Sequence, residues 1–264
     1  MLTVKIGEME VAYDLQGEGE TLLFFPDNLL TGQAYKSEIE HFSTRFQVLT
    51  FDYPGSGRST HQWFYPDEQE VDFWGFRADM ACHLLMELKI SRCYVIGVGG
   101  GAMAALHFAG KQAPQHHITT LGVVADSFLA DWDGRTLHRW LDVREHFYVR
   151  NGKALQQLHG DDWRQVVDAD TTFIRQLADR GGYAVPDGYL NAIPCPVLLT
   201  GQTQDQTLPG IAREYARLSA IIPDCRLFLS SSQNHPSLER PFLRSDPKRF
   251  RHVVDYFLAQ ISAD

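Results

Sequence analysis

The sequence predicts an α/β fold in which a mostly parallel sheet is covered by helices on both faces. Short apolar, β-branched runs alternate with helical segments along most of the 264 residues, as in chains built from strand–helix–strand units. Residues 131–189 instead combine helical spacing with many Trp, His and Asp residues. We expect this region to form a helical cap over the carboxyl edge of the sheet, where ligands bind in α/β folds.

Eight segments have the composition of strands. In chain order they are VKIG, VAYDLQ, TLLFF, FQVLTFD, CYVIGV, TLGVVAD, PVLLTG and CRLFLS. Five further segments predict helices: GQAYKSEIEHFS, VDFWGFRADMACHLLMELK, AMAALHFAGKQ, IAREYARLSAII and KRFRHVVDYFLAQIS. The second of these helices has one apolar face, because Phe73, Phe76 and Met80 recur at spacings of three and four residues. Residues 1–264 are expected to form one domain with the cap as an insertion.

Composition argues against several classes of partner. The formal net charge of -9 disfavours nucleic acid and anionic membranes, since both require a basic surface. No apolar run reaches the roughly 18 to 20 residues of a membrane span, and the N-terminal segment lacks the apolar core of a signal peptide. The cysteines show no CxxC or Cys–His ligand spacing, so we predict no metal site, no disulfides and a cytoplasmic location. They are Cys82, Cys93, Cys195 and Cys225.

Two glycine-containing motifs follow predicted strands. Residues 52–59, DYPGSGRS, contain the pattern D-x-P-G-x-G-x-S, in which Pro fixes φ and the two Gly permit positive φ, so a tight turn is expected. Residues 97–101, GVGGG, lie between the strand CYVIGV and the helix AMAALHFAG. Such a glycine-rich turn lets the helix approach the strand closely.

Together with LLFFPDNLLTG at 22–32 and QNHPSLERP at 233–241, these motifs resemble, in order, those of the α/β-hydrolase family. The resemblance implies an eight-stranded α/β-hydrolase fold with a cap. It also implies hydrolysis of a small ester or related acyl compound without a metal or organic cofactor. The family's usual His-Gly pair after the first of these strands is replaced here by Pro26-Asp27. A Pro-Asp-Asn turn that merely ends the strand is an equally good reading.

The resemblance also assigns roles to particular residues. GVGGG corresponds to the nucleophile elbow G-x-S-x-G, so Gly99 stands where the family carries its nucleophile. His235 corresponds to the catalytic base and Asp205 to the acid that orients it, with Asp126 as an alternative acid. The backbone N–H groups of Asn28 and Gly100 correspond to the oxyanion hole.

Glycine at position 99 supplies no oxygen that could attack a carbonyl group. Three explanations remain open: an inactivating substitution in a serine enzyme, a natural protein that binds a small molecule without turnover, or an enzyme that needs only His235 as a general base. If the framework is otherwise intact, Gly99→Ser is expected to restore an acyl-enzyme route.

Aromatic residues in and before the cap predict a pocket for a small apolar-to-amphipathic molecule. Any one of them could instead only join the cap to the core. They are Phe128, Trp132, Trp140 and Trp163.

A remote alternative is a nicotinamide or flavin oxidoreductase. Gly97, Gly99 and Ala102 satisfy G-x-G-x-x-G/A, and Asp126 ends the next strand like a ribose-binding acid. The context argues against this reading, because at least four strands precede the motif, whereas the fingerprint normally follows the first strand of its unit.

Overall fold

The computed structural model describes residues 2–61, 72–205, 207–231 and 241–262. Its strands are β1 Leu2–Ile6, β2 Met9–Gln16, β3 Thr21–Phe25, β4 Gln47–Phe51, β5 Arg92–Val98, β6 Thr119–Asp126, β7 Asp131–Asp133, β8 Gly182–Ala184, β9 Val197–Gln202 and β10 Cys225–Ser230. Its α-helices are α1 Lys36–Phe42, α2 Phe73–Glu87, α3 Gly100–His107, α4 Ala113–Gln115, α5 Gly134–His159, α6 Trp163–Asp179, α7 Asp187–Asn191, α8 Ile211–Ile221, α9 Phe242–Ser245 and α10 Pro247–Ile261. None of the helices in these ranges combines the length and hydropathy needed to cross a bilayer.

Eight strands form one sheet, in the order β1-β2-β4-β3-β5-β6-β9-β10. The β1–β2 and β2–β4 pairs are antiparallel, and every other pair in the sheet is parallel. The predicted fold and all eight predicted strands are confirmed. Because β3 to β6 and β9 run in the same direction, the loops that follow them meet at one edge of the sheet.

Helices cover both faces of the sheet. Strand β3 is apolar throughout because it is buried on both faces. Leu23 and Phe25 belong to one buried cluster, whereas Leu22 and Phe24 belong to another on the opposite face. The first cluster also contains residues of α2, α3 and α8, and the second contains residues of α1 and α10. A strand buried on both faces loses the alternation of apolar and polar residues seen at a solvated sheet.

The insertion is mainly helical but begins and nearly ends with short strands. Helices α5 and α6, hereafter the cap helices, lie between β7 and β8, which pair antiparallel. The expectation of an entirely helical segment is therefore corrected. Strands of three residues are too short for a period of two to show in the sequence. Here they pair at the point where the chain enters the cap helices and the point where it leaves them.

Candidate functional site

The carboxyl end of β5 turns directly into α3 at Gly99. This residue has φ 57° and ψ -121°, a conformation that residues with a side chain rarely adopt. Its neighbours are glycines for a steric reason, because a Cβ on Gly97 would lie 2.7 Å from the Ala102 Cα, and one on Gly101 would lie 2.8 Å from the Phe25 carbonyl carbon. The result is a sharp strand–turn–helix junction of the kind in which G-x-S-x-G occurs.

The side chain of Asp27 reaches this junction from the loop after β3. Its Oδ1 atom accepts hydrogen bonds from the backbone N–H groups of Asn28, at 2.7 Å, and Gly100, at 2.8 Å. A Cβ placed on Gly99 would lie within 2.7 Å of both carboxyl oxygens of Asp27. The Asp27 carboxyl therefore occupies the space into which a side chain at position 99 would project. It also binds the two N–H groups that the sequence assigned to an oxyanion hole.

Burial governs the protonation of Asp27. The residue as a whole is only partly buried, but its carboxyl group is surrounded by protein. Loss of hydration raises the pKa of this carboxyl above its ordinary value, although the N–H donors of Gly100 and Asn28 and the charges of Arg244 and Arg77 oppose the rise. The neutral acid is thus stabilised relative to a solvated aspartate.

Two buried tyrosines fix the backbone around Asp27. The Asp27 N–H donates to the Tyr35 hydroxyl at 2.9 Å, and the Tyr53 hydroxyl donates to the Pro26 carbonyl at 3.0 Å. Burial raises the pKa of both phenols, so they stay protonated at neutral pH. These contacts hold the loop at a defined distance from the α3 N-terminus.

A chain of buried polar contacts joins this loop to the cap helices. The Asn28 amide oxygen accepts a hydrogen bond from Arg77 of α2. The Arg77 guanidinium is in turn 3.7 Å from Asp170 of α6, and Asp170 also pairs with Arg144 of α5. Asp170 is fully buried, and the two arginines are almost so. Breaking a buried pair of this kind is costly, because the remaining charge is left without compensation.

His159, at the end of α5, makes a second connection. Its Nδ1 accepts from the Gly57 N–H at 2.8 Å, and its Nε2 lies 3.0 Å from the Leu29 carbonyl, so the proton resides on Nε2. Burial lowers the pKa of His159, which favours this neutral form. One imidazole thereby links α5 to the loops after β3 and β4.

The two candidate acids lie at the ends of neighbouring strands. Asp126 ends β6, is fully buried, and accepts hydrogen bonds from the Thr200 hydroxyl at 2.7 Å and the Leu243 N–H at 3.1 Å. Oδ1 of Asp205 accepts from the Thr207 N–H and hydroxyl. Burial, with a smaller contribution from the Asp205 charge, raises the pKa of Asp126 to about 7. His235 lies outside the described residues, so its pairing with either acid stays a prediction.

Of the four aromatic residues predicted to line the pocket, three pack on the main buried cluster and the fourth, Trp163, packs on a separate one. Phe128 is buried against Tyr215, with ring centroids 5.4 Å apart. Trp132 and Trp140 pack on the same cluster as α2 and α3, with ring centroids 6.5 Å apart. Trp163 instead packs with Leu29 in a separate cluster and lines an open, polar depression on the cap helices. Its role in substrate binding stays a prediction.

Asp27 and Arg77 are the residues that sequence reasoning missed. From the sequence, Pro26 and Asp27 were interpreted as a departure from the family pattern or as a turn that ends the strand, and neither interpretation gives the Asp27 side chain a role. The available signal was a pair of changes: an acid in the loop after one strand, and a glycine in place of the nucleophile after another. A signal for Arg77 was also present, because it lies four residues after Phe73 and three before Met80, on the apolar face of α2, where a charged side chain needs a partner.

The chain is similar to known proteins in both sequence and structure. The sequence profile of the Alpha/beta hydrolase family matches residues 23–251. A thermophilic esterase from Thermogutta terrifontis is similar in structure, with TM-score 0.70, 19% identity and 99% of each chain covered. An enol-lactonase from Burkholderia xenovorans LB400 gives TM-score 0.67 at 18% identity, covering 97% of this chain and 100% of its own.

A proline iminopeptidase from Mycobacterium smegmatis gives TM-score 0.65 at 19% identity, covering 100% of this chain and 99% of its own. Identities this low establish similarity of fold alone. A comparison with functionally curated proteins by sequence gives no significant match.

Proposed function

The chain belongs to the alpha/beta hydrolase family, and from that premise we propose that it hydrolyses a small ester or related acyl compound without a covalent intermediate on residue 99. In this proposal water is the nucleophile and the Asp27 carboxyl polarises the substrate carbonyl. The observation that carries it is the position of that carboxyl, which lies against Gly99 and binds the N–H groups of Asn28 and Gly100. Similar structures named as an esterase and an enol-lactonase support an ester or lactone as the substrate class.

The protonation of Asp27 supports its role as a donor. Oδ1 accepts two N–H groups, so a proton on the same carboxyl resides on Oδ2. The raised pKa of Asp27 favours that protonated form. Donation from two amides to Oδ1 withdraws electron density, which makes the O–H on Oδ2 a stronger hydrogen-bond donor. A buried, neutral carboxylic acid can serve in this way as an oxyanion-binding group.

The proposed reaction conserves protons. His235, the base expected from the sequence, removes a proton from water as the oxygen attacks the carbonyl carbon. The developing oxyanion is stabilised by the hydrogen bond from Asp27. When the tetrahedral intermediate breaks down, the leaving alkoxide takes the proton from His235. The products are one carboxylic acid and one alcohol.

The substrate is proposed to lie between the elbow and the cap helices. Phe128, Trp132 and Trp140 are the candidates for apolar contact, because they pack on the cluster that contains α2 and α3. Sites for small molecules are generally lined by apolar and aromatic groups with a few placed polar ones.

A binding protein without turnover is the second candidate. The specific observation in its favour is that Asp27 already satisfies both N–H groups of the expected oxyanion hole. If Asp27 does not donate to substrate, it only blocks that hole. The same cap and pocket would then hold a ligand without activating it.

Three forms of the protein separate these readings: wild type, Asp27→Asn and Asp27→Ala, assayed on nitrophenyl esters of short-chain acids. Asparagine keeps an N–H donor at the Oδ2 position and an acceptor at Oδ1, so it should retain activity within about tenfold of wild type, whereas alanine should lose about 100-fold or more in kcat. Turnover should resist serine-directed phosphonates. Glu20→Gln, at an exposed ion pair with Arg92, is the control and should match wild type.

Other outcomes overturn the proposal. Equal activity of Asp27→Ala and wild type would remove Asp27 from the mechanism. Loss of activity in Asp27→Asn as complete as in Asp27→Ala would indicate a carboxylate base or nucleophile instead of a neutral donor. Absence of turnover, together with stabilisation of wild type by the same esters in thermal unfolding, would favour the binding protein.

A further inference from the structure

Two histidines and an aspartate come together on the surface formed by α2 and the end of α4. Asp79 and His83 lie one helical turn apart on α2, and His116 follows the last residue of α4. All three side chains are partly exposed. This cluster is separate from the elbow contacts, because Arg77, which reaches toward Asn28, points inward from the same helix.

The ligand atoms have spacings suited to a small divalent metal. Nε2 of His116 lies 2.8 Å from Oδ1 of Asp79, and Nε2 of His83 lies 3.4 Å from Oδ2 of Asp79. One ligand atom from each of the three residues lies within 4.8 Å of the others. Zinc with tetrahedral bonds of about 2.0 to 2.2 Å holds its ligand atoms about 3.4 Å apart. Only small side-chain movements separate the observed arrangement from that geometry.

We propose that Asp79, His83 and His116 bind Zn²⁺ or a similar divalent transition metal. Imidazole nitrogens favour zinc, cobalt, nickel and copper over magnesium and calcium, which prefer oxygen ligands. Three protein ligands leave a coordination position for water. Cysteine spacing does not reveal this site, and His116 lies far along the chain from the pair on α2, so the sequence predicted no metal ligands here.

The surroundings define the ligand set more closely. Cys82 is the nearest thiol in sequence, but it is fully buried, whereas the side chains of Asp79, His83 and His116 are partly exposed. The site therefore consists of two imidazoles and one carboxylate, and it connects α2 with the segment that leads into β6.

Without metal, the same residues form ordinary surface ion pairs, and the test must distinguish the two states. Untagged protein, stripped with a chelator, is titrated with Co²⁺ to follow visible d–d absorption and then with Zn²⁺ to displace it. Wild type should bind one equivalent. His83→Ala and His116→Ala should each weaken binding by about tenfold or more. His138→Ala is the matched control, because His138 pairs with Asp179 at 3.2 Å on the cap helices without a third ligand in the described residues.

Thermal unfolding provides the second measurement. Zn²⁺ should raise the Tm of wild type and of His138→Ala, since a ligand that binds only the folded state stabilises it. The increase should be lost in His116→Ala, whose metal-free Tm should stay close to that of wild type. Binding that is absent from wild type, or equal in wild type and His116→Ala, would overturn the proposal.

Discussion

The amide nitrogen of Gly100 lies 2.8 Å from Oδ1 of Asp27, so a carboxyl from the loop after β3 closes the first turn of α3. The absence of a side chain at Gly99 is what leaves room for this contact, because a Cβ there would lie within 2.7 Å of both carboxyl oxygens. Asp27 and Gly99 are therefore sterically coupled. A change at either residue has to be interpreted with the other.

The first prediction concerns Gly99→Ser. The sequence alone suggested that serine would be accommodated, but the position of Asp27 leads to the opposite expectation. Forcing the two side chains apart should destabilise the protein by about 1 to 3 kcal/mol, and it should leave the serine unreactive toward a fluorescent phosphonate. Urea unfolding and phosphonate labelling measure the two effects. Gly188→Ser is the control, since no atom of the described residues lies within 4 Å of a Cβ at that exposed position.

The double variant Asp27→Gly with Gly99→Ser tests the steric coupling directly. Removing the carboxyl should recover part of the stability lost in Gly99→Ser and should open the two N–H groups near the new serine. A double-mutant cycle measures this coupling free energy. Additive effects of the two substitutions would show that Asp27 does not occupy the space beside Gly99 in solution.

The second prediction concerns Asp126 and pH. Burial raises its pKa from 3.8 to about 7 in the folded state, so the folded protein retains a proton that the unfolded chain releases earlier. The contribution of Asp126 to stability is therefore fully present below about pH 4 and declines as pH rises toward 7. Relative to Asp126→Asn, wild type should lose up to a few kcal/mol across that window. Urea unfolding at several pH values measures the free energy of unfolding of both proteins. If wild type and Asp126→Asn showed the same dependence on pH, this expectation would be contradicted.

The strands of the sheet could be predicted well because each one is recognisable from a short run of consecutive residues. Strand β3, TLLFF, is apolar at every position and lies in the middle of the sheet. The position of Asp27 could not be predicted in the same way, since its partner Gly100 is 73 residues away. The pairing of Asp170 with Arg144 likewise depends on how α5 and α6 pack. Motif spacing indicates which loops meet at the sheet edge, but not which side chain fills the space between them.

The third prediction concerns the buried charges under the cap helices. Asp170→Ala leaves Arg77 and Arg144 without their shared carboxylate and should destabilise the protein by about 3 to 5 kcal/mol. Glu20→Gln breaks the exposed pair with Arg92, in which the arginine is 59% and the glutamate 46% exposed, and should cost less than about 1 kcal/mol. Urea unfolding measures both free energies. Similar losses in the two variants would mean that Asp170 is hydrated in solution.

The fourth prediction concerns His159. Phenylalanine would fill much of the same volume but leave the Gly57 N–H and the Leu29 carbonyl without their partner, at a cost of about 1 to 3 kcal/mol for each buried group. The folded-state pKa of His159 is lowered, so its neutral form supports the fold at high pH, and that stabilisation is lost as pH falls below the ordinary value of 6.5. The difference in unfolding free energy between wild type and His159→Phe should therefore be largest above pH 6.5 and shrink in acid. His138→Phe, at a half-exposed histidine paired with Asp179, should show little loss. A wild-type advantage over His159→Phe that grows in acid would indicate that His159 is protonated in the folded protein, contrary to the two hydrogen bonds that fix its tautomer.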